Sequence, residues 1–429
     1  MNSRRSPLSS FAVSALAVAL AGPLAALAAP AAQADIKPAF GIGATSIARP
    51  ASSSDRYIYV DAAHGADHAL DPTGMGPGEP PWPRQDCLFG ARKPYWASHN
   101  GRSQRENCPE PDAAHPMRSI KVAIHASRPG DVIVVRGGTY NEGFSTTGDG
   151  RSDHKGTSAT NRLVLQNYPG ESVRLNGWVN FQDPDYWTVT GLRFGYNSKI
   201  TGGRNYIVGM FGGTGWIFNR NEVAGGRGNA NMLVSASSAG PSATTAPRSW
   251  VVSQNCIHDN RGTNAGSKDH NLYVKPSIYS RAGYIQRNLM WNAPNGGNIK
   301  LGGSNNPDEA PAYVTVRDNT LLRAGSGLVV GQKANHILIS RNVIGRPVST
   351  NRDDGGVKTY SMRYPSTVNV NDNYVAGWKS HIRETSTQYG RGTRGKNKVW
   401  DQRISGTYTG CAVVAANTTV RNGWGHKAN

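Results

Sequence analysis

Titratable side chains crowd one short segment of the 429-residue chain, Asp269-His270-Asn271-Leu272-Tyr273-Val274-Lys275, and a second lysine, Lys300, follows in Gly296-Gly-Asn-Ile-Lys300. If both segments are strands, side chains alternate between two sides. With Leu272, Val274, Ile299 and Leu301 turned inward, Tyr273, Lys275, Asn298 and Lys300 share the outer side, with His270 and Asn271 at the strand entry. Val329 and Lys358 continue the Lys300 column. Lysines on neighbouring parallel strands at diagonal positions stand roughly 8 Å apart. Crowded cations lower a lysine's pKa, so a clustered amine can serve as a base, and tyrosine or histidine can return a proton. Such a set suits proton abstraction beside a carboxylate whose charge is neutralised. Lys275 or Lys300 is the expected base and Tyr273 or His270 the expected acid. Asn271, Asn298, Arg323, Lys333, Lys358 and Arg363 are the expected binding residues. Each of these types also occurs on surfaces for solubility or turn-capping alone. The concentration at one place is what singles this group out.

The elements that would position these residues repeat along the chain. Trp216-Ile-Phe-Asn-Arg-Asn221 is echoed by Trp250-Val-Val-Ser-Gln-Asn255, Tyr284-Ile-Gln-Arg-Asn288 and Val314-Thr-Val-Arg-Asp-Asn319. Ile337-Leu-Ile-Ser-Arg-Asn342 and Val368-Asn-Val-Asn-Asp-Asn373 continue the series, so the asparagines recur at 34, 33, 31, 23 and 31 residues. Trp187-Thr-Val-Thr-Gly191 is an earlier, degenerate copy. Strands repeating at this period without helices predict an all-β, right-handed parallel β-helix, one coil per repeat. Successive coils pair about 4.8 Å apart, so equivalent asparagines stack into a hydrogen-bonded ladder. A β-propeller needs a longer and more regular period. Residues 117–127 have helical spacing at Ile120, Ala123 and Ile124 and are expected to cap the N-terminal end.

Composition narrows the function classes. Gly 51, Pro 25 and 37% hydrophobic residues fit a turn-rich β-protein and exclude a collagen, a helical bundle and a disordered chain. Residues 1–34 read as a signal peptide: Arg4 and Arg5, an apolar run from Phe11 to Ala28, then Ala32-Gln-Ala34 as cleavage site. Ser3-Arg4-Arg5 hints at twin-arginine export, but the general secretory route fits better. Removing the leader takes two arginines from a net charge of +19, leaving +17. A secreted or periplasmic protein this basic favours an anionic partner: an acidic polysaccharide, a cell-wall polymer or nucleic acid. No aromatic–basic interleaving of a nucleic-acid module is found and no later stretch is long enough to span a membrane, so neither nucleic acid nor membrane is expected. A monomer is expected. Residues 35–116 are a loop-rich lead, 117–380 the β-helix and 381–429 a closing segment, strand-like at Cys411-Ala-Val-Val414. Cys87 and Cys108 are the expected disulfide. Cys256 is either a buried thiol or the partner of Cys411.

Ala126-Ser-Arg-Pro-Gly-Asp131, Arg136-Gly-Gly-Thr-Tyr-Asn-Glu142, Leu163-Val-Leu-Gln-Asn-Tyr-Pro-Gly-Glu171 and Val173-Arg-Leu-Asn-Gly177 resemble the first coils of right-handed parallel β-helix proteins. Within that group the chain is most similar to secreted polysaccharide lyases of the chondroitinase B and alginate lyase type. Their base lysine lies on a Glu-x-Ile-Ser-x-Lys-like strand, and His270-Asn-Leu-Tyr-Val-Lys275 has that spacing. The resemblance implies Lys275 as base and Lys300 as carboxylate partner, with Lys300 the alternative base. It also implies β-elimination from a uronate. The resemblance leaves calcium open as a cofactor, but His270 stands where those lyases place an acidic calcium ligand, so its expected acidic ligands are not matched and no metal is assigned. Two rival readings use the same fold. Hydrolysis needs two carboxyl groups about 5–9.5 Å apart, to be drawn from Asp259, Asp269, Asp308, Glu309, Asp353 and Asp354. A non-catalytic glycan-binding β-helix needs only the cations.

Overall fold

The structure, a computed structural model, describes residues 57–65, 116–148, 150, 152–262, 269–303, 306–348, 355–362, 364–378, 380–384, 398–399 and 410–417. The leader, Cys87, Cys108, Asp353, Asp354 and Arg363 lie outside the described residues.

The described strands form two sheets, of ten and seventeen strands. Neighbouring strands run parallel, as in Ile217–Asn219 beside Arg248–Ser253 and His270–Lys275 beside Leu289–Leu301. Each coil places one strand in the ten-stranded sheet, in chain order. The larger sheet holds two rows that meet at a bend. One row runs through Glu222–Ala224, Cys256–His258 and the start of Leu289–Leu301. The other runs through Val208–Phe211, Ala230–Ser235, His270–Lys275 and the end of Leu289–Leu301. Leu289–Leu301 and Thr320–Val330 are long enough to pass round the bend, with a register shift between Ala293 and Gly297. This is the parallel β-helix the repeat predicts.

The asparagine ladder fixes one corner. Asn221, Asn255, Asn288, Asn319, Asn342 and Asn373 are fully buried. Each backbone N–H donates to the side-chain oxygen one coil on: Asn221 to Asn255 at 2.9 Å, Asn255 to Asn288 at 2.9 Å, Asn288 to Asn319 at 3.0 Å. Asn319 to Asn342 at 2.9 Å and Asn342 to Asn373 at 3.0 Å complete it. The residue before each rung takes a left-handed turn, from Arg220 at φ 54° to Asp372 at φ 51°. That turn breaks the sheet ladder, and the asparagine amide satisfies the freed backbone groups. The degenerate copy obeys the same geometry. Gly191 turns at φ 77°, and the N–H of Leu192 donates to Asn221 at 3.0 Å.

Inside, equivalent apolar residues stack coil on coil. Met232, Leu272, Ile299, Leu328 and Val357 form one fully buried column. Each such side chain contributes about 1.5–3 kcal/mol relative to exposure. The helix Ile120–Ala126 appears where its periodicity predicts, packed on Tyr57–Val60 and Val132–Val135. Ser119 caps it, and the Glu142 carboxylate accepts the N–H groups of Ile120 at 3.0 Å and Lys121 at 2.8 Å. No helix among the described residues is long and apolar enough to cross a membrane.

One secondary-structure expectation is corrected. Cys411–Asn417 is a helix, not a strand. Cys411 and Val414, one turn apart, bury against Cys256, Leu289, Trp291, Leu322 and Val343 in an apolar cluster separate from the interior one. Ile257 and Met290, between these residues in sequence, point into the core. Alternation therefore puts the helix against the outer side of this row. The Cys256–Cys411 disulfide, spanning 155 residues, fastens it there.

Candidate functional site

The second row carries the expected face. Its register aligns Leu233 with Tyr273, Tyr273 with Lys300, Lys300 with Val329, Val329 with Lys358 and Lys358 with Arg383. The outer column is therefore Leu233, Tyr273, Lys300, Val329, Lys358, Arg383, one residue per coil.

Lys300 is its chemical centre. Its ammonium donates a hydrogen bond to the Tyr360 hydroxyl and stands 5.0 Å from that ring's centroid. Gly331 makes this possible, since a side chain there would collide with the Tyr360 ring. Burial, then the positive charge of Lys358, push the Lys300 ammonium from 10.5 down to about 8. An appreciable fraction of the amine is therefore neutral near physiological pH. Tyr273 donates to the Gly303 carbonyl at 3.2 Å, and burial, then Tyr360 and Glu309, push its hydroxyl up to about 12. Burial pushes Tyr360 up to about 12 as well. Both phenols thus keep their protons across the range in which Lys300 loses its own.

Lys275 has a different environment. It faces outward, but its ammonium pairs with Glu309 at 3.2 Å, both side chains about three-quarters buried at 24% and 23% exposure. Glu309 belongs to the short 3-10 turn Pro307–Glu309, which sequence alternation does not connect to this face. The Lys275 ammonium is occupied by Glu309, whereas Lys300 is brought down to about 8, so Lys300 is the better base of the two.

Three expected site residues sit beneath the face. Asn271 and Asn298 are fully buried and cannot touch a substrate. They form a second ladder with Asn231, at 2.8 Å from Asn231 to Asn271 and 2.8 Å from Asn271 to Asn298. Their amides also donate to the Trp291 carbonyl at 2.9 Å and the Leu322 carbonyl at 3.0 Å. Both stand at the bend between rows, where these hydrogen bonds satisfy their buried amides. His270 is 4% exposed, and its Nδ1 accepts the Gly297 N–H at 2.8 Å, placing its proton on Nε2. Burial, then the charge of Lys300, push it down to about 3. A neutral imidazole is no proton donor of the expected kind, so His270 becomes a support for the strand entry.

Arg323 and Lys333 lie off the column, at opposite ends of the strand that carries Val329. Arg323 turns at φ 49° at the bend between rows, its N–H on the Arg346 carbonyl at 2.8 Å. Lys333 turns at φ 68° beyond Gly331. The structure adds Tyr360 and Arg383, which sequence reasoning missed. Tyr360 stands two residues after Lys358, so alternation from Lys358 was the available signal. Of the expected acids, Asp269 is fully buried, Glu309 is paired with Lys275, and Asp259 lies on the other row beside His258.

No protein-family model matches the chain, and no curated protein matches it in sequence. Among solved structures it is similar to XylC in complex with xylose, at 12% identity over 68% of each chain with a TM-score of 0.49. It is similar to pectate lyase Pel9A at 10% identity, over 68% of this chain and 73% of that one, with a TM-score of 0.41. An alginate lyase from Paenibacillus aligns at 14% identity, over 65% and 95%, with a TM-score of 0.30. The chain is a parallel β-helix protein whose solved neighbours include pectate and alginate lyases, and its chemistry has to be read from its own residues.

Proposed function

We propose that this protein is an exported lyase that cleaves an acidic, uronate-containing polysaccharide by β-elimination, with Lys300 as the base. The observation that carries the reading is Lys300 itself: a half-buried amine brought to about 8, hydrogen-bonded to Tyr360, with Tyr273 on the adjacent strand. Elimination needs a base for the C5 proton, a cation for the carboxylate that acidifies that proton, and an acid for the leaving oxygen. The neutral Lys300 amine takes the C5 proton. The electron pair forms the C4–C5 double bond as the C4–O bond breaks. Tyr273 or Tyr360 gives its proton to the departing oxygen, whose alkoxide is more basic than either phenolate. Lys358 and Arg383, two and three coils along the column, neutralise the carboxylate while charge develops on it. A net charge of +17 without the leader attracts a polyanion to this face.

The test presents purified protein with a panel of acidic polysaccharides and follows the ultraviolet absorbance of the conjugated double bond. Lys300→Met should lower kcat by about 10²–10⁴ while substrate binding persists. Reducing ends without absorbance would replace elimination by hydrolysis. Binding with neither signal would leave a glycan-binding protein.

A further inference from the structure

Away from the Lys300 face, the outer side of the other row brings together ligand atoms of a different kind. The sulfurs of Cys256 and Cys411 and a ring nitrogen of His258 lie within 4.8 Å of one another. Cys256 and His258 are two residues apart on one strand and so share a side. The C-terminal helix delivers Cys411.

The imidazole is held as a metal-binding histidine is held. Its ring lies flat against Trp291, centroids 4.0 Å apart and planes 5° apart, and the residue is 7% exposed. Nδ1 is engaged by Asp259 at 2.9 Å, and Asp259 also receives the Asn292 amide. A carboxylate on one ring nitrogen fixes the tautomer that offers the other to a metal. Nε2 is buried and faces Glu222 Oε1 at 3.5 Å, a long contact that a cation between the two would replace. Glu222 is the register partner of Cys256 on the adjacent strand, and Arg193 steadies its other oxygen at 3.4 Å. Two sulfurs and one imidazole nitrogen therefore converge, with the Glu222 carboxylate beside the ring, a donor set suited to tetrahedral zinc.

We propose that reduction of the Cys256–Cys411 disulfide turns this corner into a binding site for a zinc-type divalent cation, held by both thiolates and His258 Nε2 with Glu222 as the fourth donor. The disulfide and the metal exclude each other, because the same two sulfurs serve both. Reduction takes two electrons from a thiol or phosphine and yields two thiols. Metal binding then releases their two protons. Zinc–sulfur bonds of about 2.3 Å set the sulfurs about 3.8 Å apart in a tetrahedron. The Cα atoms are 6.0 Å apart, so the helix need shift only slightly. The site does not depend on the proposed lyase activity.

The probe is cobalt(II), added to full-length protein carrying Cys87→Ser and Cys108→Ser so that only this pair reports. After reduction with a phosphine, one cobalt per chain should bind, with thiolate charge-transfer and tetrahedral d–d absorption, and zinc should displace it. The oxidised protein should bind none. His258→Ala should weaken binding at least tenfold, and Cys411→Ser should remove the charge-transfer band. Should a variant fail to fold, zinc protection of the two thiols against alkylation tests the same point in the parent protein. Reduced protein that binds no cobalt, binding undiminished in His258→Ala, or thiols that zinc leaves unprotected would each overturn the proposal.

Discussion

Replacing Lys358 by methionine should move the pH dependence of catalysis without touching the base. Lys300 falls from 10.5 to about 8, with burial the larger cause and Lys358 the second. Lys358 stands two coils along the column, about 10 Å away at the backbone. Two unit charges at that distance repel by about 0.4 kcal/mol at the dielectric of water and about 1.7 kcal/mol at an effective value of about 20. These energies correspond to about 0.3–1.2 pH units. Lys358→Met should therefore raise the acidic limb of kcat/KM from about pH 8 by about 0.3–1.2 units. At pH 7 the neutral fraction of Lys300 should drop by about two- to fifteenfold, and above the shifted limb that loss should disappear. Lys358→Arg keeps the charge and should keep the limb. The assay is the initial rate of ultraviolet absorbance on the active polysaccharide across pH 6–10 (about one reading per half unit). The position of the limb, not its height, is the readout, because the proposed mechanism also sets Lys358 against the substrate carboxylate. A limb that stays put in Lys358→Met, or moves to lower pH, would refute Lys300 as the titrating base.

Lys300 should also lower stability. Folding reduces its pKa, so the unfolded chain holds the proton more tightly between about pH 8 and 10.5. The buried ammonium is thus unfavourable below pH 8, and the penalty fades as pH rises toward 10.5. Lys300→Met, which should lower kcat by about 10²–10⁴, should also raise the unfolding free energy at pH 7 by no more than about 3 kcal/mol, a gain that shrinks by pH 10 in denaturant titrations. Asn288→Ala should have the opposite effect. Its oxygen accepts from Asn255, and its amide donates to Val252 and Asn319. Stranding these buried groups costs about 2–5 kcal/mol, readable in the same titrations, and an unchanged midpoint would deny the ladder its role. Opening the Cys256–Cys411 disulfide releases a constraint over 155 residues, about 5 kcal/mol by chain entropy. Thermal unfolding of a Cys256→Ala/Cys411→Ala variant should shift down accordingly, and a melt unchanged from the parent would show that the helix does not need its fastening.

The sequence by itself determined the architecture. A ladder asparagine every coil, preceded by a residue that accepts a left-handed turn, is a local pattern, and its recurrence specifies stacking of like on like. Period-two alternation within a strand is equally local, which is why Tyr273, Lys300, Val329 and Lys358 fall on one column as the pattern predicts. What the tertiary structure decided is everything set by other coils. Asn271 and Asn298 alternate outward on paper but sit at the bend between rows, fully buried and bonded into a second ladder. Two valines beside Cys411 suggest a strand, yet the apolar patch around Cys256, Leu289 and Trp291 accepts one side of a helix. Lys275 and Lys300 look equivalent in sequence. Glu309 comes back from the loop that follows Lys300 to neutralise Lys275, and Tyr360 comes over Gly331 to bury Lys300. Desolvation and ion pairing depend on what stands within a few ångströms, and here those neighbours are one coil away in the chain for Lys275 and two for Lys300. Spacing can therefore nominate the lysines, and only the packed coils distinguish the one held by a carboxylate from the one poised to lose its proton.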